Sequence, residues 1–211
     1  MRSSGRFQNE AEHHSEGSGR TPHEEPTHNA VVMGLGNRYF HDDGIGIIVA
    51  GELKRQNLGN SVLVRSSQNF DLELLSELRG VSRLVIVDAI RSGTPPGTIT
   101  KYVVTPRHTP LSAIPGLHSL ELHDLIDIGN LTGLLDSPVT VIGVEPKDCR
   151  LGEGLSSEVE GALPSVVAYV VEELNPCSVT SGSCRRPERS RRKVVIRDSR
   201  FPQSRLSILG C

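Results

Sequence analysis

Arg83-Leu84-Val85-Ile86-Val87-Asp88-Ala89 contains four consecutive apolar residues, three of them β-branched, that run straight into a carboxylate. An unbroken apolar run of this kind predicts a central strand buried on both faces, the condition of strands in parallel sheets with helices on either side. Such a strand cannot stand alone, and other short apolar runs supply its neighbours. Strands are expected at 30–34, 61–65, 98–104 and 139–144, the one at 98–104 nearer an edge.

Helical spacing fills the intervals. Ile45, Ile48, Val49 and Leu53 repeat over 44–56, and Leu72, Leu75 and Leu78 follow Asp71, a candidate cap, with Gly80 as the stop. Leu122, Leu125 and Ile126 open another helix. Val159, Leu163, Val166, Val167, Val170 and Leu174 form a long stripe interrupted by Pro164, which predicts a kink or a helix starting near that proline. Ser157-Glu158-Val159-Glu160 fits a capping box before it. The alternation implies an α/β fold, a twisted and mostly parallel sheet of about five strands sandwiched by helices.

This domain is expected over 30–175, between a polar N-terminal extension at 1–29 and a tail at 176–211. The first segment is rich in Ser, Gly, Glu and His and too poor in apolar residues to offset its ordering entropy, so disorder is expected. It lacks a secretory h-region, and no window approaches the roughly 18 apolar residues of a membrane helix. A cytoplasmic protein is expected, with no membrane partner. Charge is uneven: the body 30–175 has 11 Lys and Arg against 18 Asp and Glu, whereas 176–211 has 9 against 2. The tail has a single aromatic residue, Phe201, among its arginines, too few to stack on successive bases, so it reads as a solvated, disordered extension with no nucleic-acid partner. Cysteines at 149, 177, 184 and 211 form no C-x-x-C pair, and reduced thiols are expected.

In a parallel α/β sheet, ligands bind beyond the carboxyl ends of the strands. Three chemistry-bearing groups are delivered there or close by. Asp42 or Asp43 follows the first strand, Asp88 ends the third, and His118 precedes a helix. Two carboxylates and an imidazole suit a divalent transition metal such as zinc, nickel or manganese, and equally suit acid–base work without one. Each also has a plain structural use: Asp43 as a helix cap, Asp88 as an acceptor for loop amides, His118 as a cap or surface residue. Gly34-Leu35-Gly36 lacks the third glycine of a dinucleotide fingerprint and the acidic residue after the second strand, where Arg65 and Ser66 stand. No Walker loop or G-x-S-x-G elbow is present. An organic cofactor is therefore not expected.

Gly34-Leu35-Gly36-Asn37 with Asp42-Asp43-Gly44-Ile45-Gly46, then Val87-Asp88-Ala89 with Pro96-Gly97-Thr98, resemble the hydrogenase maturation protease family. The likeness continues through His118-Ser119-Leu120-Glu121-Leu122, Gly143-Val144-Glu145-Pro146 and Gly154-Leu155-Ser156, in order over residues 31–174. It implies an endopeptidase, aspartic-type in classification, that removes the C-terminal extension from the large-subunit precursor of a nickel–iron hydrogenase. It further implies a nickel site at Asp43, Asp88 and His118, the nickel being carried by the substrate, with Asp43 and Asp88 as the catalytic carboxylates and Asp42 beside them. Many members carry Asp-Gly-Gly-Thr after the second strand in a loop linked to substrate recognition. Ser66-Ser67-Gln68-Asn69 stands there in this chain, which bears on which hydrogenase is served. The alternative is a non-catalytic α/β module that senses a metal or a partner.

Overall fold

The computed structural model describes residues 28–104, 122–137, 139–175 and 195–197. In chain order the elements are β1 (Ala30–Leu35), a 3-10 turn (His41–Gly44), α1 (Ile45–Arg55), β2 (Val62–Ser67), α2 (Leu72–Ser76), β3 (Arg83–Ala89) and β4 (Ile99–Val104). They continue with α3 (Leu122–Leu131), β5 (Val139–Val144), α4 (Ser157–Glu160), α5 (Leu163–Leu174) and β6 (Val195–Arg197).

The strands form one sheet in the order β2-β1-β3-β5-β4-β6. The pairs β1–β2, β1–β3, β3–β5 and β4–β6 are parallel; β4 alone runs against its neighbour β5. The five strands of the body and their mostly parallel pairing match the sequence reading. The sixth does not: Val195–Arg197 lies in the tail expected to be disordered, and pairs Thr100 with Val195 and Tyr102 with Arg197.

Side-chain alternation along the strands sorts the core into two layers. Val31, Met33, Leu35, Leu84 and Ile86 pack with Leu75 and Leu78 at and beyond α2 and with Leu125 and Ile126 of α3. Val32, Val85, Val87, Ile142 and Val144 face the other way, onto Ile45, Val49 and Leu53 of α1 and Val166 and Val170 of α5. β1 and β5 are buried along their whole length, as strands covered by helices on both faces must be.

Local signals held in most places. Asp71 caps α2, its carboxylate accepting from the Leu74 amide at 3.0 Å. α5 begins beside Pro164, where the missing amide costs nothing. The expected capping box did not form. The N-cap of α4 is Ser156 rather than Ser157, and it makes no side-chain cap, because its hydroxyl is engaged by Asp42. Cys149 is disulfide-bonded, contrary to the expected reduced thiol. Spacing rules test for local cysteine motifs and are silent on a bond closed by the fold.

Candidate active site

A buried acid stands at or just beyond the carboxyl end of each of β1, β3 and β5. Asp42 and Asp43 lie in the 3-10 turn after β1, Asp88 is the penultimate residue of β3, and Glu145 immediately follows β5. All four are at least nine-tenths buried. Carboxylates are seldom buried unless paired or hydrogen-bonded, so each needs a partner.

Backbone packing puts the first loop over the end of β3. A Cβ on Gly46 would lie 2.2 Å from the Leu35 carbonyl oxygen and 2.3 Å from that of Val87, so only glycine lets α1 start directly on the two strand ends. Gly36 has φ +124° and its missing Cβ would meet the Asp43 carbonyl oxygen at 1.8 Å. Gly36 thus supplies the turn after β1, and both glycines permit a close backbone approach that sequence spacing did not reveal.

Two of the four acids are consumed by structure. Asp42 accepts from the amides of Lys147, Asp148 and Ser156 at 2.8, 3.0 and 2.6 Å and from the Ser156 hydroxyl at 2.8 Å. It thereby holds the loop after β5 and the start of α4 against the first loop. Glu145 accepts from the Ser92 amide and hydroxyl at 2.7 and 2.6 Å, from the Gly93 amide at 3.2 Å, and from the Thr94 amide and hydroxyl at 3.3 and 3.1 Å. Burial opposes its ionisation, but the donors of Ser92 and Thr94 prevail and hold its carboxyl below the ordinary range. Glu145 thus organises the loop that follows Asp88. The sequence reading assigned it no role, although an acid placed straight after a buried strand, like Asp88, was the signal available.

The other two are differently placed. Asp43 accepts from the Asn37 amide at 2.7 Å, and does not cap α1, whose N-cap is Gly44. Asp88 accepts from the Ala89 amide at 2.8 Å. Burial, and then the negative charge of Asp43, push the Asp88 carboxyl up to about 7, partly offset by the Ala89 amide. The fold therefore brings Asp43 and Asp88 into electrostatic contact at one end of the sheet, as expected from topology. Such a pair can share a proton, take a proton from a reacting group, or be relieved by a cation. His118, the third expected ligand, lies outside the described residues. Among the described residues no cluster of three or more His, Cys, Asp and Glu side chains is poised to hold a metal.

A family model described as hydrogenase maturation protease matches residues 52–173, a stretch that includes Asp88 and Glu145. The hydrogenase expression/formation protein HupD of Rhodobacter capsulatus is 29% identical over 162 residues, 72% of this chain and 75% of that protein. HoxM of Cupriavidus necator, also a hydrogenase expression/formation protein, is 28% identical over 146 residues, 68% of each chain. Among solved structures, the hydrogenase 2 maturation peptidase from Thaumarchaeota archaeon SCGC_AB-539-E09 superposes with a TM-score of 0.55 at 28% identity, covering 69% of this chain and 97% of that one. An α/β sheet with a mostly parallel order, acids at its carboxyl end and a family match over more than half of the sequence lead to one conclusion: the chain belongs to the hydrogenase maturation protease family.

Proposed function

We propose that this protein is an endopeptidase that removes the C-terminal extension from the large-subunit precursor of a nickel–iron hydrogenase, with the cytoplasm as its proposed compartment. The observation that carries the reading is the buried Asp43–Asp88 pair, two carboxylates whose mutual repulsion adds to burial in raising the Asp88 carboxyl to about 7. A cation arriving with the substrate relieves that repulsion. Oxygen donors of this kind accept a divalent metal such as nickel, with His118 as the proposed nitrogen ligand. Held there, the substrate's nickel supplies Lewis-acid polarisation of the scissile carbonyl or of a water.

The chain's own part is to place the charges. Asp42 fixes the first loop to the loop after β5, and Glu145 fixes the loop after β3, so Asp43 and Asp88 are presented by rigid surroundings. The raised Asp88 favours a second reading of the same cleavage, in which this carboxylate is the general base of an aspartic-type peptidase. It takes a proton from water as the water oxygen bonds to the carbonyl carbon, and returns it to the amide nitrogen as the C–N bond breaks.

Co-expression with a candidate large-subunit precursor, with and without nickel, tests both readings by the mass lost from the precursor's C-terminus. Cleavage of the nickel-loaded form alone is the expected result. Equal cleavage of the nickel-free form removes the nickel requirement and leaves the general base. Asp88→Asn is expected to abolish processing while the protein remains folded, and full cleavage by a soluble Asp88→Asn protein overturns both.

A further inference from the structure

Three exposed apolar side chains sit beside the acid pair and are used by nothing described above. Tyr39 is 54% exposed, Phe40 39% and Leu151 78%. They belong to two loops far apart in sequence that are zipped together. The Gly152 amide donates to the Tyr39 carbonyl at 2.8 Å, the His41 amide donates to the Gly152 carbonyl at 2.8 Å, and Phe40 and Gly152 form a parallel bridge. The zipper places Tyr39 and Phe40 next to Leu151.

His41 marks the boundary between this patch and the acids. It has φ +46° and is the one non-glycine residue with a positive φ among the described residues. That turn separates the exposed Tyr39 and Phe40 from the buried Asp42 and Asp43. Its ring lies on Gly152, where a Cβ would be 2.1 Å from Nε2, and its Nδ1 is 3.2 Å from the Gly154 carbonyl oxygen. A non-glycine residue in this region costs energy and persists only where its surroundings hold it. The patch is therefore a fixed surface rather than a loose tip.

The rim has a charge. Lys147 is paired with Glu158 at 2.7 Å and Arg150 with Asp148 at 2.6 Å, so those cations are compensated. Arg38 is exposed and makes no hydrogen bond or ion pair among the described residues. The patch is thus apolar, flanked in sequence by the Arg38 guanidinium on one loop and by the exposed Glu153 carboxylate on the other.

We propose that Tyr39, Phe40 and Leu151, flanked by Arg38, dock the stretch of precursor polypeptide that borders the scissile bond, a segment with an apolar side chain next to an acidic one. This rests on the endopeptidase reading above and adds the docking surface to it. Continuity favours a substrate segment as occupant: Phe40 is two residues from Asp42 and three from Asp43, so chain seated on the patch leads into the acid pair. Charge complementarity to Arg38 selects the acidic neighbour. Aromatic residues beside a guanidinium are also the side chains that concentrate binding energy at polypeptide interfaces.

The test uses the full chain and the nickel-loaded precursor. Tyr39→Ser and Leu151→Ser change exposed side chains and leave both core layers intact. Each is expected to lower kcat/KM roughly tenfold through KM, whereas Leu131→Ser, an equally exposed apolar residue on α3, is expected to match the parent. In a separate arm, surface plasmon resonance measures binding of the precursor to the Asp88→Asn protein. Tyr39→Ser and Leu151→Ser in that background should weaken binding by a similar factor, and Arg38→Gln should flatten its dependence on salt. Parent-like KM and parent-like binding for both serine variants overturn the proposal. So does self-association of the parent that Leu151→Ser abolishes, which would make the patch an interface between copies. Binding without cleavage by the parent removes the endopeptidase reading and leaves docking to be judged by the binding arm. Neither binding nor cleavage overturns both.

Discussion

Asp43 and Asp88 differ from Asp42 and Glu145 less in burial than in what faces them. Asp42 and Glu145 are surrounded by donors, whereas Asp88 has the Ala89 amide and a second carboxylate in its field. This gives a pH dependence of known sign. Because the folded-state carboxyl of Asp88 is raised to about 7, the folded chain retains a proton that the unfolded chain has already released in the window from about pH 4 to 7. Stability is therefore expected to fall as pH rises through that window and to level off above it. Asp88→Asn keeps an acceptor for the Ala89 amide and removes the charge. Urea denaturation should show it more stable than the parent at pH 8, by at most about 4 kcal/mol, with the difference vanishing near pH 4. Asp42→Ala should do the reverse. It strands three amides and a hydroxyl, and a loss on the order of 3 kcal/mol is expected in the same denaturation experiment at neutral pH. Sequence reading placed Asp43 and Asp88 at one end of the sheet because topology alone delivers them there. It could not tell Asp42's purpose, since its partners Lys147, Asp148 and Ser156 are more than a hundred residues away.

At the scale of elements, the legible parts were those whose burial leaves a pattern. β3 and β5 came out at their observed bounds because strands covered on both faces read as unbroken apolar runs. The direction of β4 did not, because alternation is the same whichever way a strand points. β6 was illegible for another reason: three residues inside an arginine-rich stretch carry no periodicity to detect. The junction of α1 with the sheet offers a sharp contrast between two glycines. Gly46→Ala pushes a methyl group against two backbone carbonyls that cannot move aside, and a loss of about 3 kcal/mol is expected. Gly51, in the same helix, has open space where a Cβ would stand, with nothing within 4 Å. Gly51→Ala should therefore gain about 0.5–1 kcal/mol from helix propensity. Thermal melts of the two single variants check the pair.

For the molecule as a whole, the sheet has two different ends. β2 forms one edge, while β6 covers the outer side of β4 at the other. An uncovered strand edge is a template for pairing with another chain. A chain ending at Asn175 lacks β6 and should self-associate more than the full-length protein, as measured by light scattering at equal concentration, while keeping its helical circular dichroism.

The contacts of Asp42 also set an order of events. Its acceptor oxygens join residues separated by 105, 106 and 114 positions in the chain. Contacts over such separations carry a large loop-closure cost and form only once shorter-range pairings have brought the ends together. During synthesis from the N-terminus, the first loop is made long before the amides that hold it. An incomplete chain can acquire the first strand and α1 and yet have no assembled acid pair. The acid pair is therefore expected to be assembled only once nearly all of the domain exists, and a partly made chain is expected to lack peptide-cutting activity.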